Sequence, residues 1–260
     1  MRDKIQRICH DLENAHNISI LFAVENGSRA WRLQSADSDY DVRFVFVRPL
    51  REYVQIQKPE EVINIAFDKN LNISKAEGSF IDVSGFDIFK FVKLLSNSNP
   101  TTIEWLVTDI VYYGKQNDAF KRFAQENFSI NSLYHHYKSL SRNNYLKYIK
   151  SGKNVTYKRY LYTLRGLVNA QWVIKKQIVP PIIFIETVKG LDISDQITKK
   201  IQEMIKLKSL GKEKERMERV SQLDQYIEAF LEEDPKLLKE FHPPIEELNK
   251  ELRKIVLAQS

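Results

Sequence analysis

Three short stretches of the chain place reactive residue types at spacings that suit one chemistry. Asp39-Tyr40-Asp41 runs directly into the apolar segment Val42-Arg43-Phe44-Val45-Phe46-Val47, which reads as a strand. Side chains at i and i+2 of a strand share a face, so Asp39 and Asp41 present two carboxylates about 7 Å apart at their Cα atoms. Like charges at that separation call for a cation. Hard divalent ions such as Mg²⁺ or Mn²⁺ take carboxylate oxygens and keep positions open for phosphate. Asp82, in the β-prone segment Phe80-Ile81-Asp82-Val83, offers a third carboxylate. Two ions held by three such groups would activate an attacking hydroxyl and stabilise a leaving phosphate in an in-line displacement. Gly27-Ser28 follows the apolar stretch from Ile18 to Glu25. A glycine there lets a phosphate approach the backbone, and the serine hydroxyl can donate to it. A competing reading makes Asp37, Ser38, Asp39 and Asp41 turn formers and Gly27 a loop closure. It leaves Asp41 unexplained, because that residue stands where the apolar strand begins.

These groups need elements to hold them. Residues 3–16 carry Ile5, Ile8 and Leu12 at helical spacing. Strands are expected at 18–25, 42–47, 62–67 and 80–83, with a polar loop over 69–78. Ser84 with Asp87 three residues on reads as a capping box opening a helix, and Pro100-Thr101 with Glu104 opens another. Beyond about residue 115 the pattern turns helical, over 117–126, 132–150, 155–177, 194–209, 213–233 and 244–257. Pro180-Pro181 and Pro243-Pro244 break that series. No repeat and no long linker interrupts it. The expected fold class is α+β: a sheet-bearing N-terminal domain over 1–115 and an all-helical, basic bundle over 116–260.

Composition narrows the setting. Of 260 residues 43% are hydrophobic, too many for a disordered chain. The lone Cys9 excludes an internal disulfide and any multi-cysteine zinc site. No apolar run approaches the ~20 residues that span a bilayer, and the charged N-terminus lacks a signal-peptide core. A soluble cytoplasmic protein with no membrane partner is expected. The net charge of +6 is unevenly spread. Residues 1–115 hold 14 Lys/Arg and 16 Asp/Glu, whereas 116–260 hold 26 and 18. The 59 residues from Asn127 to Ile185 contain no acid, ten Lys/Arg, and seven tyrosines between Tyr134 and Tyr162. Solvated faces normally mix signs, so this segment is expected to meet polyanions.

At this point the residues resemble a known family. Gly27-Ser28-Arg29-Ala30-Trp31 followed by Ser38-Asp39-Tyr40-Asp41-Val42-Arg43-Phe44 is similar to the motif of the DNA-polymerase-β-like nucleotidyltransferase superfamily. More narrowly it resembles the RNA-repair-associated group of bacteria and phages. Asp82-Val83-Ser84-Gly85, Ser98-Asn99-Pro100 with Glu104-Trp105-Leu106, and Lys158-Arg159-Tyr160-Leu161-Tyr162 with Leu164-Arg165 support the narrower likeness. It spans about residues 15–176. Arg32, where the group commonly has glycine, and Phe89, near a position often basic, depart from it. The resemblance implies a small mixed sheet flanked by helices. It further implies transfer of NMP from a nucleoside triphosphate to a hydroxyl with release of pyrophosphate. Asp39 and Asp41 would then hold two Mg²⁺ or Mn²⁺ ions, Asp82 would hold the catalytic ion and help deprotonate the acceptor, and Gly27 and Ser28 would cradle the β/γ-phosphates.

Other residues are placed more loosely. Lys158, Tyr162 and Arg165 fall on one stripe of the expected 155–177 helix. A stripe facing the catalytic sheet would bind triphosphate; the other reading is a solvated face. Arg29 lies near enough to the Gly27-Ser28 turn to reach a phosphate. Arg43 is left open between pairing with an acid and binding substrate, Glu25 has no assigned role, and His135-His136 reads as surface or cap. Bases stack on aromatics while Lys and Arg track phosphate, so the tyrosine-rich basic half favours a nucleic-acid acceptor such as an RNA end. Proteins and aminoglycoside-like small molecules are other acceptors, and a non-catalytic nucleotide- or nucleic-acid-binding module on the same fold is the alternative class.

Overall fold

The N-terminal segment folds as helix α1 (Arg2–His16) and buries Ile5, Ile8, Cys9 and Leu12 along one stripe. In this computed structural model all residues are described except 75–78, 154, 213–214, 234, 236–240 and 260. Strand β1 (Ser19–Asn26) follows, then a single helical turn, α2 (Gly27–Ala30), and strand β2 (Tyr40–Val47). A second short turn, α3 (Leu50–Tyr53), leads to β3 (Val62–Phe67), the two-residue β4 (Ile73–Ser74) and β5 (Ile81–Asp87). Helices α4 (Ile88–Ser96) and α5 (Pro100–Val107), edge strand β6 (Val111–Gly114) and helix α6 (Asp118–Glu126) complete this stretch.

The six strands form one mixed sheet in the order β4-β3-β5-β2-β1-β6. β2 and β5 are parallel, and the other neighbours are antiparallel. Alternation divides the central strands. Val42, Phe44 and Phe46 of β2, with Ile81 and Val83 of β5, point at the α1 stripe and form one buried cluster with it. Each large side chain so buried contributes about 1.5–3 kcal/mol. On the opposite face Phe22 of β1 meets Phe91 of α4, and Phe86 of β5 meets Trp105 of α5. That face also carries Asp41 and Arg43.

Two expectations shift here. The helix expected to start behind Ser84 begins at Ile88, because Ser84, Gly85 and Phe86 pair with β2 on one side and β3 on the other. Asp87 is its N-cap, accepting from the Phe89 amide at 2.9 Å. Val111–Gly114, not anticipated as a strand, pairs with β1 at the sheet edge. The Lys69–Gly78 segment contains β4, and its residues 75–78 lie outside the described residues.

From residue 129 the described elements are helical. Helix α7 (Ile130–Asn144) continues as a π-helical stretch over Tyr145–Lys150, followed by α8 (Tyr157–Lys176), α9 (Phe184–Lys189), α10 (Asp195–Leu207) and α11 (Ser221–Glu232). Of the helix expected over 213–233, residues 213–214 lie outside the described residues, 215–220 are not helical, and the helix begins only at Ser221. Gly166 of α8 lets that helix approach α7 closely: a Cβ there would stand 2.9 Å from both the Ser141 amide nitrogen and the Tyr137 carbonyl oxygen. The last helix is α12 (Ile245–Leu257). No described helix is long and apolar enough to cross a membrane.

Two compact units result. One contains Met1–Ala30, Asp39–Phe128 and His242–Ser260; the other contains Trp31–Ser38 and Ser129–Phe241. Residue 115, where the division was expected, lies inside the first of these units. Helix α6 stays with the sheet unit, packing beside α5, and α12 returns to it beside α4 and α6. Asn117 ties this arrangement, capping α6 with its side-chain oxygen and donating to Glu251 of α12 at 2.7 Å. The eight residues Trp31–Ser38, inside the N-terminal motif, belong to the helical unit.

Candidate active site

Strand register builds the site in the sheet unit. The antiparallel pairing of β1 with β2 sets Asn26 opposite Asp41, so the chain leaves β1 at Gly27 beside the start of β2. The parallel pairing of β2 with β5 sets Asp41 opposite Asp82. Neighbouring strands lie roughly 4.8 Å apart, and partners in register share a face. Asp41 and Asp82 are therefore adjacent carboxylates, 32% and 38% exposed.

Gly27 lies against Asp41. Its φ of +62° is in the left-handed region, and a Cβ there would stand 2.2 Å from Asp41 Oδ2. Only glycine meets both conditions. Ser28 follows in the α2 turn and is buried. Arg29 turns back over the start of β2: its Nε donates to the Asp39 carbonyl at 3.1 Å, and its guanidinium lies 3.8 Å from the Tyr40 ring centre. Asp39 is exposed, one residue ahead of β2. Among the described residues no group of three His, Cys, Asp or Glu side chains is gathered closely enough to hold a metal ion. The expected convergence is thus realised for Asp41, Asp82 and Gly27, and Asp39 does not join them in a three-carboxylate cluster.

Two residues without an assigned role belong to the site. Arg43, two along β2 from Asp41, shares its face. Its Nη2 donates to Asp82 Oδ2 at 2.7 Å and to Asp41 Oδ1 at 3.2 Å. Its Nη1 donates to the carbonyls of Asp82 at 3.0 Å and Val42 at 2.9 Å. The i+2 rule that pairs Asp39 with Asp41 would have pointed to this position. Glu25 lies behind the site, 1% exposed. Its Oε1 accepts the Asp41 amide at 2.8 Å, and its Oε2 accepts the Tyr112 hydroxyl. Burial pushes the Glu25 carboxyl up to about 7; the Tyr112 and Asp41 hydrogen bonds oppose that rise and the Asp41 charge adds to it. An acid closing the apolar run ILFAVE was the available signal. Its partner Tyr112 sits on β6, which was not anticipated.

The remaining expected residues lie in the helical unit. Arg165 of α8 is 4% exposed, with its guanidinium 3.7 Å from the centre of the Trp31 ring. Tyr162 meets Trp31 edge-on at 5.5 Å, and the Lys158 ammonium lies 5.7 Å from the Tyr162 ring centre. The expected stripe is thus a ladder of cations and rings that grips Trp31, and Arg165 is engaged inside it. Arg32, the departure from glycine, has φ +57°. The backbone at this position adopts the conformation that glycine takes most easily.

Comparison with known proteins adds three findings. The model of the RNA repair pathway DNA polymerase beta family matches residues 1–254. YcgL, a Bacillus subtilis protein described as uncharacterised, is 30% identical over 257 residues, covering 98% of this chain and 93% of its own length. Among solved structures, a nucleotidyltransferase-like protein from Exiguobacterium sibiricum aligns with 98% of this chain and 77% of its own, at 15% identity and a TM-score of 0.31.

Proposed function

This chain belongs to the RNA repair pathway DNA polymerase beta family, and from that premise we propose that it transfers NMP from a nucleoside triphosphate to an acceptor hydroxyl, with divalent metal and with a nucleic-acid end as acceptor. The observation that carries this reading is the register of Asp41 against Asp82, two half-exposed carboxylates on one face beside the Gly27 turn. The pair suits a cation, since one guanidinium nitrogen already lies within reach of both. Asp41 and Asp82 would hold an ion there, and exposed Asp39 would serve a second.

Bound Mg²⁺ or Mn²⁺ would offset the charge of the triphosphate and of the pyrophosphate that leaves. Gly27 and Ser28 would receive the β/γ-phosphates through the backbone, and Arg29 would stay within reach of them. Asp82 would take the proton of the acceptor hydroxyl as its oxygen bonds to the α-phosphorus and the bond to pyrophosphate breaks. The acid-free helical segment favours a polyanionic acceptor. Within it Arg159 stacks 3.6 Å from the Tyr148 ring centre, and Lys147 lies 5.1 Å from the same ring. Cations grouped on an aromatic suit phosphate and base together.

Label transfer from α-³²P nucleoside triphosphates to total RNA, or to the protein itself, tests the reading. The wild type is expected to transfer label only with Mg²⁺ or Mn²⁺. Asp41→Asn keeps the shape and removes the charge, and should lower the rate by about 10²–10³-fold, the equivalent of several kcal/mol. One observation favours the second reading, a non-catalytic binding module: Arg43 already spans the two carboxylates. Triphosphate or RNA binding that is indifferent to Mg²⁺ and Mn²⁺, without transfer to any acceptor, would favour that module.

A further inference from the structure

Asp41 and Asp82 hold a cation that is part of the chain. Nη2 of Arg43 lies 3.2 Å from one carboxylate and 2.7 Å from the other, so the two oxygens are separated by no more than the sum of those distances. Two further bonds from Nη1 to backbone carbonyls fix the guanidinium plane. The Arg43 side chain is 16% exposed, less than either acid it bridges. The guanidinium carries a positive charge, so this bridge offsets the repulsion between the two acids. A divalent ion bound to the same two oxygens at about 2.1 Å would stand within a few ångströms of a fixed positive group and be repelled by it. The bridge and the ion therefore compete for this pair of carboxylates.

We propose that Arg43 is the resident cation of this site, and that a divalent ion enters only by displacing its guanidinium from Asp41 and Asp82. The proposal rests on the reading of that pair as metal ligands. It assigns Arg43 two effects. The bridge keeps the carboxylates together in the metal-free protein, and it lowers apparent metal affinity by the fraction of molecules in which the bridge is closed. Displacement also frees a guanidinium of the site face as the ion arrives.

The test is Mn²⁺ binding to the full chain without nucleotide, read from the electron paramagnetic resonance signal of free Mn²⁺. Arg43→Gln should bind Mn²⁺ about tenfold more tightly than wild type or better. The gain should vanish in Arg43→Gln combined with Asp41→Asn. Equal or weaker binding by Arg43→Gln overturns the proposal, because a residue that only positions the acids would weaken binding when lost. The metal reading then survives if Asp41→Asn alone lowers wild-type affinity. It falls with the proposal if neither wild type nor Arg43→Gln binds Mn²⁺. A measurement on the unmodified chain covers the case of a variant that misfolds. Side-chain ¹⁵N spectra should show slowed guanidinium rotation for Arg43 that is lost at saturating Mg²⁺; an unchanged signal with the ion bound overturns the exchange.

Discussion

Glu25 has both carboxylate oxygens occupied, one by the Asp41 amide and one by the Tyr112 hydroxyl, and it lies away from water. Burial raises its pKa from the ordinary 4.5 to about 7, so the folded protein keeps this proton to higher pH than the unfolded chain does. The stabilisation is complete below 4.5, declines as pH rises to about 7, and is gone above it. A shift of that size corresponds to about 3 kcal/mol. Glu25→Gln keeps an oxygen for the Asp41 amide and removes the titration. Urea denaturation across this interval, without divalent ions, should show a flatter profile in the variant; parallel profiles would assign the dependence to other groups. Gly27 makes a second case at this scale. Gly27→Ala forces a side chain into the left-handed region and onto Asp41 Oδ2. The strain of that backbone and the overpacking together should cost about 2–4 kcal/mol. A lower urea midpoint with unchanged slope is the expected record.

Register converts scattered residues into a site at the scale of elements. A slip of one residue between β2 and β5 would turn Asp82 to the α1 face and bring Val83 beside Asp41. Helix packing sets a similar condition at Gly166. Propensity alone says that Gly166→Ala stabilises a helix by up to about 1 kcal/mol. The added methyl would meet two backbone atoms of α7 at 2.9 Å, and backbone yields less readily than a side-chain tip. Overpacking of about 1–3 kcal/mol should therefore win, and thermal melting should give a lower Tm for the variant. An unchanged or higher Tm would mean that α7 and α8 separate freely.

The whole molecule joins a slightly acidic sheet half to a basic helical half, and the chain crosses between units inside its own motif. Trp31–Ser38 sits in the helical unit and is covalently continuous with Ala30 on one side and Asp39 on the other. The acid-free segment around it should bind single-stranded RNA with a steep salt dependence. Each Lys or Arg that contacts phosphate steepens the slope of log K against log salt by about one. Filter binding at several salt concentrations should show Lys147→Ala and Arg159→Ala each losing about one unit of slope. Slopes equal to wild type would make these residues a solvated face.

What the sequence determined by itself is local. The Gly27-Ser28 and Asp39-Tyr40-Asp41 spacing, the α1 stripe, the helix start at Pro100 and the helical run after residue 129 depend on neighbours a few positions away, and alternation alone puts Arg43 on the face of Asp41. Three features needed the tertiary structure. The pairing of Asp41 with Asp82 depends on two strands coming into parallel register across 40 intervening residues. The burial of Glu25 depends on Tyr112 of an edge strand too short to announce itself. The return of α12 to the sheet unit depends on contacts made more than a hundred residues from its own place in the chain. Hydrophobic period and capping chemistry act over one or two turns of chain, whereas strand register and burial are set by the lowest free energy of the packed whole.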